Sequence, residues 1–427
     1  MSEDARSSRV RGLAARWEAV AAAVLSGHGD GTTTTGPSGL GRATVSLRQV
    51  EQVLSEIDPH DSVEGFTAEP GGGDPERHTS FVQIVTVSTV KGGVLHLIFK
   101  TPRARAEMAK MLNVPELFRK ETFMYKHVIH HLTNLWPDEP LTVFPRSYYS
   151  SPELLVLENL AAKGYMVAET QLGLDENHCT LVMTALGRFH AASLAYKEAD
   201  NREASNTLCE AGYEPLYTES RRILLEPLFA AAAENTVNII KSSAEVAKHT
   251  RTIEAILASR FDRIMKFHRP EEPLAVLLHG DLWADNIMFH YNELGEPDDV
   301  KFLDFQMCRY GSPALDINRF LYSSTTREVR IKHGDALLRA YHREQSRALR
   351  QLNVKQRYTL ADLRREVHST ALYGLLTADL LLRIALNQIP PGATPYDVVT
   401  TNVPGDPFSK HLVDIVLELD DMGVLTP

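Results

Sequence analysis

The stretch that most restricts the fold runs from Ala275 to Gln306, A-V-L-L-H-G-D-L-W-A-D-N-I-M-F-H-Y-N-E-L-G-E-P-D-D-V-K-F-L-D-F-Q. An apolar run ends at His279-Gly280-Asp281, Asn286 follows, and a second apolar run closes on Asp304-Phe305-Gln306. This pattern predicts a strand, a polar loop and a β-hairpin. A lone Asp at a strand end is ordinary turn chemistry. The joint order is more specific, because in kinases the same order presents a base Asp, then an Asn and an Asp that hold the metal on ATP.

At 427 residues the chain exceeds the usual size of one domain, so two lobes are expected. The balance of 45 basic against 55 acidic residues gives a net charge of −10, with no long basic stripe to cover a phosphate backbone. Nucleic acid is therefore not an expected partner. Cys179, Cys209 and Cys308 are odd in number and widely separated, which argues against a disulfide framework and for a reducing compartment. The apolar stretch Leu13 to Leu25 is interrupted by Arg16, Trp17 and Glu18, too short and too polar to span a bilayer. Its Arg-rich start faintly suggests a transit peptide, but Glu3, Asp4 and Glu18 argue against one. No membrane insertion is expected, and the location expected is cytoplasmic.

Residues 1–45 read as an appendage: a short Ala-rich helix, then a Gly- and Thr-rich linker. Leu47, Val50, Val53, Leu54 and Ile57 mark a helix over Ser46 to Ile57. Three strands follow, Val63 to Ala68, Ser80 to Val90 and Val94 to Lys100, forming a meander. The loop Pro70 to Pro75 carries Gly71-Gly72-Gly73, where backbone N–H groups can approach phosphates, although an ordinary hairpin loop reads the same way.

Lys100 ends the third strand, and Glu121 lies on a helix predicted from Pro115 to Leu132. That helix can aim Glu121 at Lys100, the ion pair that holds a lysine against the α- and β-phosphates. His127, His130 and His131 share this helix but lack an H-E-x-x-H arrangement, so surface or packing roles are expected. Pro152 to Leu160 reads as a buried strand running into a polar crossover, with the backbone of Glu158 and Leu160 placed to bind an adenine edge. Helices are expected over residues 180–199, within 218–267, and over 326–352, 359–387 and 407–422. The Arg-rich faces at Arg327 to Arg350 and at Arg364 and Arg365 read as solvated surfaces. Asp316, after Gly311-Ser312-Pro313, either braces the Asp281 loop or caps a helix start.

With these residues in place, the chain resembles the ecdysteroid-kinase-like (choline-kinase-like) family of the aminoglycoside phosphotransferase superfamily. The carrying segments are Ile98-Phe99-Lys100, Phe118 to Tyr125, Leu155 to Leu160, His279 to Phe289 and Asp304-Phe305-Gln306, with Trp283 and Gln306 the details that set it apart from protein kinases. The Gly71-Gly72-Gly73 stretch departs from the family's phosphate loop, and the first 45 residues lie outside the likeness.

The resemblance implies an α+β, bilobal protein-kinase-like fold: a small antiparallel β-sheet lobe over residues 46–157 and a helix-rich lobe over 158–427. It implies an ATP- and Mg²⁺-dependent kinase acting on a hydroxyl of a steroid-like or xenobiotic alcohol. Asp281 would serve the hydroxyl, Asn286 and Asp304 would hold Mg²⁺, Lys100, Glu121, Glu158 and Leu160 would bind nucleotide, and His279 and Asp316 would support the loop. Two alternatives stay open: a catalytically silent kinase-like protein that binds a lipophilic ligand or partner, and a choline- or aminoglycoside-type phosphotransferase.

Overall fold

The computed structural model describes residues 45–71, 80–102, 113–136, 138–168, 173–198, 202–270, 273–355, 358–386 and 407–425. The expected N-terminal helix and linker, and Gly72 to Pro75 of the glycine loop, lie outside these residues.

Side chains alternate across a strand, and in the first sheet both faces are used. Strand β1 (Val63–Pro70), β2 (Ser80–Thr89), β3 (Val94–Pro102), β4 (Ser147–Ser150) and β5 (Leu155–Glu158) form one antiparallel sheet in the order β1-β2-β3-β5-β4. Val85, Val87, Leu97, Phe99, Leu154 and Val156 face helix α1 (Leu47–Ile57), meeting Val50 and Val53. Ser46 caps α1 through a capping box with Gln49. Leu155, Leu157 and Ile98 face the other way, into the main core. Lys100, one residue after Phe99, follows the same alternation and turns away from α1 toward helix α2 (Val114–Phe123).

The α2 helix does not continue as regular α to Leu132. It widens into a π-helical turn over Met124–Ile129 before a last turn, His130–Thr133. Met124, Tyr125, Val128, Ile129 and Leu132 all enter the core. The three histidines end up apart in role: His127 packs on Phe123 and His131 stacks on Tyr196. Among the described residues no group of three His, Cys, Asp or Glu side chains is placed to hold a metal.

The second lobe is helical. Helix α3 (Glu176–Glu198) packs along α9 (Arg327–Gln351), so closely that a Cβ at Gly187 would lie 2.5 Å from the Tyr341 carbonyl oxygen. Further helices are α4 (Arg202–Gly212), α5 (Arg222–Ser242), α6 (Thr250–Ala258), α7 (Arg260–Phe267), α8 (Pro313–Ser324), α10 (Leu360–Ser369), α11 (Ala371–Leu386) and α12 (Pro407–Asp421). The expected single helix over 359–387 is two, broken at Thr370, which C-caps α10. Between the helices lie β6 (Met166–Val167), paired to the β8 (Ile287–Tyr291) and β9 (Pro297–Phe302) hairpin, and β7 (Val276–Leu278), paired to β10 (Arg309–Gly311). One helix among the described residues, Glu219–Ser242, is long and apolar enough by composition to cross a membrane, and 44% of its apolar window is buried inside the protein.

The Arg-rich helix α9 is not uniformly solvated. Arg330 is buried, pairs with Glu418 on α12 at 2.7 Å and donates to the Thr325 carbonyl at 2.6 Å, so it fastens three segments together. An apolar environment keeps such a charge only when it is paired. Arg327, Arg339, Arg364 and Arg365 pair at the surface, as expected of solvated faces.

His411 on α12 donates to the Tyr322 carbonyl at 3.3 Å, and burial pushes it from 6.5 down to about 4. Its protonation therefore favours the unfolded chain. Its contribution is complete above about pH 6.5 and is lost as pH falls toward 4, by about 3 kcal/mol for a shift of this size. His411→Asn is expected to lose about 2 kcal/mol less than the parent between pH 7 and 4.5, read from urea unfolding at both pH values. Equal losses would remove His411 from the acid response.

Candidate functional site

The loop after β7 is built on hydrogen bonds from the helix beneath it. Ser312 caps α8 and Pro313 opens it, which sets Asp316 in the first turn, fully buried under the loop. The Asp316 carboxylate accepts the N–H of His279 at 2.7 Å and of Gly280 at 2.9 Å, with His190 Nε2 3.3 Å away. Burial opposes its charge, but the His190 hydrogen bond together with His190, His279 and Arg309 holds the carboxyl below its usual range. Both readings of Asp316 hold together: it sits at a helix start and it braces the loop.

His279 is equally enclosed. Its Nε2–H donates to the Leu303 carbonyl at 2.8 Å, and its Nδ1 accepts the Asp281 N–H at 3.2 Å. Burial pushes its pKa down, which suits the neutral ring that this bonding pattern requires. Gly280 adopts φ +79°, and a Cβ there would lie 1.9 Å from the Met307 carbonyl oxygen. No side chain fits without moving the loop. Asn286 closes the turn, donating to the Asp281 carbonyl at 2.9 Å and to the Asp281 carboxylate at 3.0 Å. Its own carbonyl accepts the Leu303 N–H at 2.9 Å, which joins the loop to the end of β9.

Asp304 comes next, in the left-handed region at φ 62°. Its carboxylate meets Lys100 from the sheet, and Lys100 lies 2.8–2.9 Å from both oxygens of Glu121 on α2. Burial works against the Lys100 charge, yet Asp304 and Glu121 together hold it above its usual range. Burial raises Glu121 against the pull of Lys100, while Lys100 outweighs burial at Asp304 and lowers it. The Asp304 side chain is 38% exposed, whereas Glu121 is 1% and Asp281 4% exposed, so Asp304 is the member of this set open to solvent. Asp304 and the amide oxygen of Asn286 are hard oxygen donors on adjoining segments, the donor type Mg²⁺ takes.

Glu158 and Leu160 sit at the end of β5, beside β3. The Glu158 carboxylate accepts the Arg146 N–H at 2.8 Å and pairs with Lys163, and its N–H donates to the Arg146 carbonyl at 2.9 Å. Leu160 opens a short 3₁₀ turn whose Ala161 N–H is capped by Asn159.

The structure thus brings Lys100, Glu121 and Asp304 together, and Asp281, Asn286, His279 and Asp316 together. Sequence reasoning missed Arg319. This residue of α8 forms a buried ion pair with Asp281. Its spacing of three from Asp316 places both on one helix face, the only hint the sequence holds. Trp283 is buried with Phe229, Phe261 and Leu381, behind the loop.

The sequence model of the ecdysteroid kinase-like family matches residues 79–354, more than half of the chain. The chain belongs to the ecdysteroid kinase-like family. No curated protein matches it significantly. Similar solved structures include a Plasmodium vivax ethanolamine kinase (11% identity over 86% of this chain and 84% of that one, TM-score 0.37) and a choline/ethanolamine kinase family protein from Mesorhizobium loti (12%, 88% and 94%, 0.37). Another is the macrolide 2'-phosphotransferase MphH from Brachybacterium faecium (15%, 77% and 91%, 0.34). At these TM-scores the likenesses are loose, and the bilobal kinase-like fold rests on the chain's own strand order and helices. Family membership indicates a small-molecule phosphotransferase of the kinase-like superfamily.

Gly280→Ala is expected to cost about 3 kcal/mol or more, since positive φ and a backbone clash add. Equilibrium unfolding measures this, and unchanged stability would show that the loop relaxes freely.

Proposed function

We propose that this member of the family transfers the γ-phosphoryl group of ATP to a hydroxyl of a steroid-like or xenobiotic alcohol, in a Mg²⁺-dependent reaction. The observation that carries the reading is the joint placement of Lys100, Glu121 and Asp304 on one side and Asp281 and Asn286 on the other, linked through Leu303 and Asn286. Residues 46–157 would form the nucleotide lobe and 158–427 the catalytic and acceptor lobe, with the backbone at Glu158 and Leu160 meeting the adenine edge.

In this reading Lys100, steadied by Glu121, holds the α- and β-phosphates, which releases Asp304 from the pairing seen here. Asp304 and Asn286 would hold Mg²⁺, which when bound would supply positive charge to offset that of the phosphates. Asp281 orients the acceptor hydroxyl and takes its proton as the new O–P bond forms and the γ-phosphoryl bond to ADP breaks. Asp316 and His279 keep the loop rigid, so the carboxylate does not have to be ordered at the moment of transfer. The acceptor is a small alcohol, and the protein works in the cytoplasm.

Asp281→Asn is expected to lower transfer at least about a thousandfold while nucleotide binding stays within a few fold, by analogy with removal of other general bases. A screen of hydroxylated steroids and plant alcohols with ATP, read by mass shift, supplies the acceptor. Near-normal turnover in the folded variant would take Asp281 out of the base role. Asp304→Ala is expected to abolish Mg²⁺-dependent nucleotide binding, measured by calorimetry with and without the metal, and unchanged affinity would reject the metal assignment. ATP binding without transfer to any alcohol would instead favour a silent, ligand-binding member.

A further inference from the structure

Helix α8 is buried along its whole length, Pro313–Ser324, and it grips the loop after β7 at three points spread over about two turns. The Asp316 carboxylate accepts the His279 and Gly280 N–H groups, and Ser324 Oγ accepts the Ala284 N–H at 2.9 Å. Both of these grips hold main chain. Between them stands Arg319, which alone of the three holds a side chain of the loop, pairing its Nη2 with Asp281 Oδ1. The pair is exclusive: among the described residues Arg319 meets no other carboxylate at ion-pair distance, and Asp281 meets no other cation. With side chains 7% and 4% exposed, it is also out of reach of bulk water.

A buried ion pair is a poor means of stabilising a fold, because withdrawing two charges from water offsets their attraction, and a neutral pair of the same size packs as well. What this pair supplies is direction. The last torsion of an aspartate is soft, so a carboxylate held at one oxygen swings. Here Oδ1 is held by Arg319 from the helix, while Oδ2 accepts the Asn286 amide at 3.0 Å from the loop itself. Two donors on different oxygens, carried by different elements, fix the plane of the group. A carboxylate offers about four lone-pair sites, so acceptor capacity remains for a substrate hydroxyl.

We propose that Arg319 is a positioning residue for phosphoryl transfer: from α8 it sets the orientation of the Asp281 carboxylate toward the acceptor hydroxyl, without touching substrate itself. The proposal rests on the phosphotransferase reading above and deepens it. Lys100, Glu121 and Asp304 gather from other elements, so the nucleotide side does not depend on Arg319. Its loss therefore falls on turnover and spares nucleotide affinity.

The test measures turnover with ATP, Mg²⁺ and the best alcohol from the screen above, together with calorimetric ATP affinity and melting curves, for Arg319→Gln, Arg319→Lys, Asp281→Asn and the double variant Asp281→Asn/Arg319→Gln. Arg319→Gln is expected to lower kcat by about a hundredfold, the cost of a reacting group left out of register, with the ATP Kd within about threefold of the parent. Arg319→Lys, which keeps the charge but not the planar fork, is expected to fall between the two. In the Asp281→Asn background the same Arg319→Gln change is expected to cost less than about twofold more, because it acts only through that carboxylate. The double variant is also expected to melt above Arg319→Gln, since it leaves no buried carboxylate unpaired. Parent-like or faster turnover in folded Arg319→Gln overturns the proposal, as does a loss of ATP affinity in step with kcat, or a full hundredfold loss added onto Asp281→Asn; each leaves the phosphotransferase reading standing. If Arg319→Gln does not fold, kcat against Kd in Arg319→Lys decides in its place. Transfer by the parent to no alcohol removes the phosphotransferase reading, and the hold of Arg319 on Asp281 is then decided by melting alone: a double variant more stable than Arg319→Gln upholds it, and one no more stable overturns it.

Discussion

One ammonium group joins the sheet to the rest of the molecule. Lys100 projects from β3 because strand alternation sends Phe99 toward α1 and the next side chain the other way. There it meets Glu121 from α2 and Asp304 from the end of the β8–β9 hairpin. Three segments far apart in sequence converge on a single buried charge, and a buried charge is costly without a partner. The position of α2, the turn after β9 and the rim of the sheet are therefore fixed together.

Beneath that contact lies a second, backbone-directed one. Asp316 accepts two loop amides, while His279 links the same loop to Leu303 through both ring nitrogens. The loop is thus rigid through its main chain, which leaves the Asp281 side chain free to be defined by Asn286 and Arg319. A site in which backbone and side chain are held by different partners can keep its shape while its charge balance is set separately.

Much of this was legible because it is written in local periodicity. The strand alternation, the hairpin ending at Asp304, the capped start of α8 and the spacing of Lys100 from Glu121 all depend on neighbours within one or two elements. Arg319 and Arg330 were not legible in the same way. Each pairs with a residue of a different element, Arg319 of α8 with Asp281 and Arg330 of α9 with Glu418, and no local spacing records such a pairing. The break at Thr370 was hidden too, since the apolar pattern runs on through it and only the turn of the Thr370 backbone, whose N–H caps the Glu366 and His368 carbonyls, ends the first helix.

The π-helical turn at Met124–Ile129 gives the helix that carries Glu121 an offset like that of a gear with one added tooth. In a regular helix the faces before and after that turn would keep one fixed angle, so a side chain aimed at Lys100 would dictate which residues reach the large core. The extra residue uncouples the two settings. Glu121 is oriented by the sheet, and Val128 and Leu132 by the helical lobe, each without compromise. Residues in this turn are thus constrained by number more than by identity: a one-residue deletion would rotate everything downstream, while many apolar exchanges would leave the phase intact.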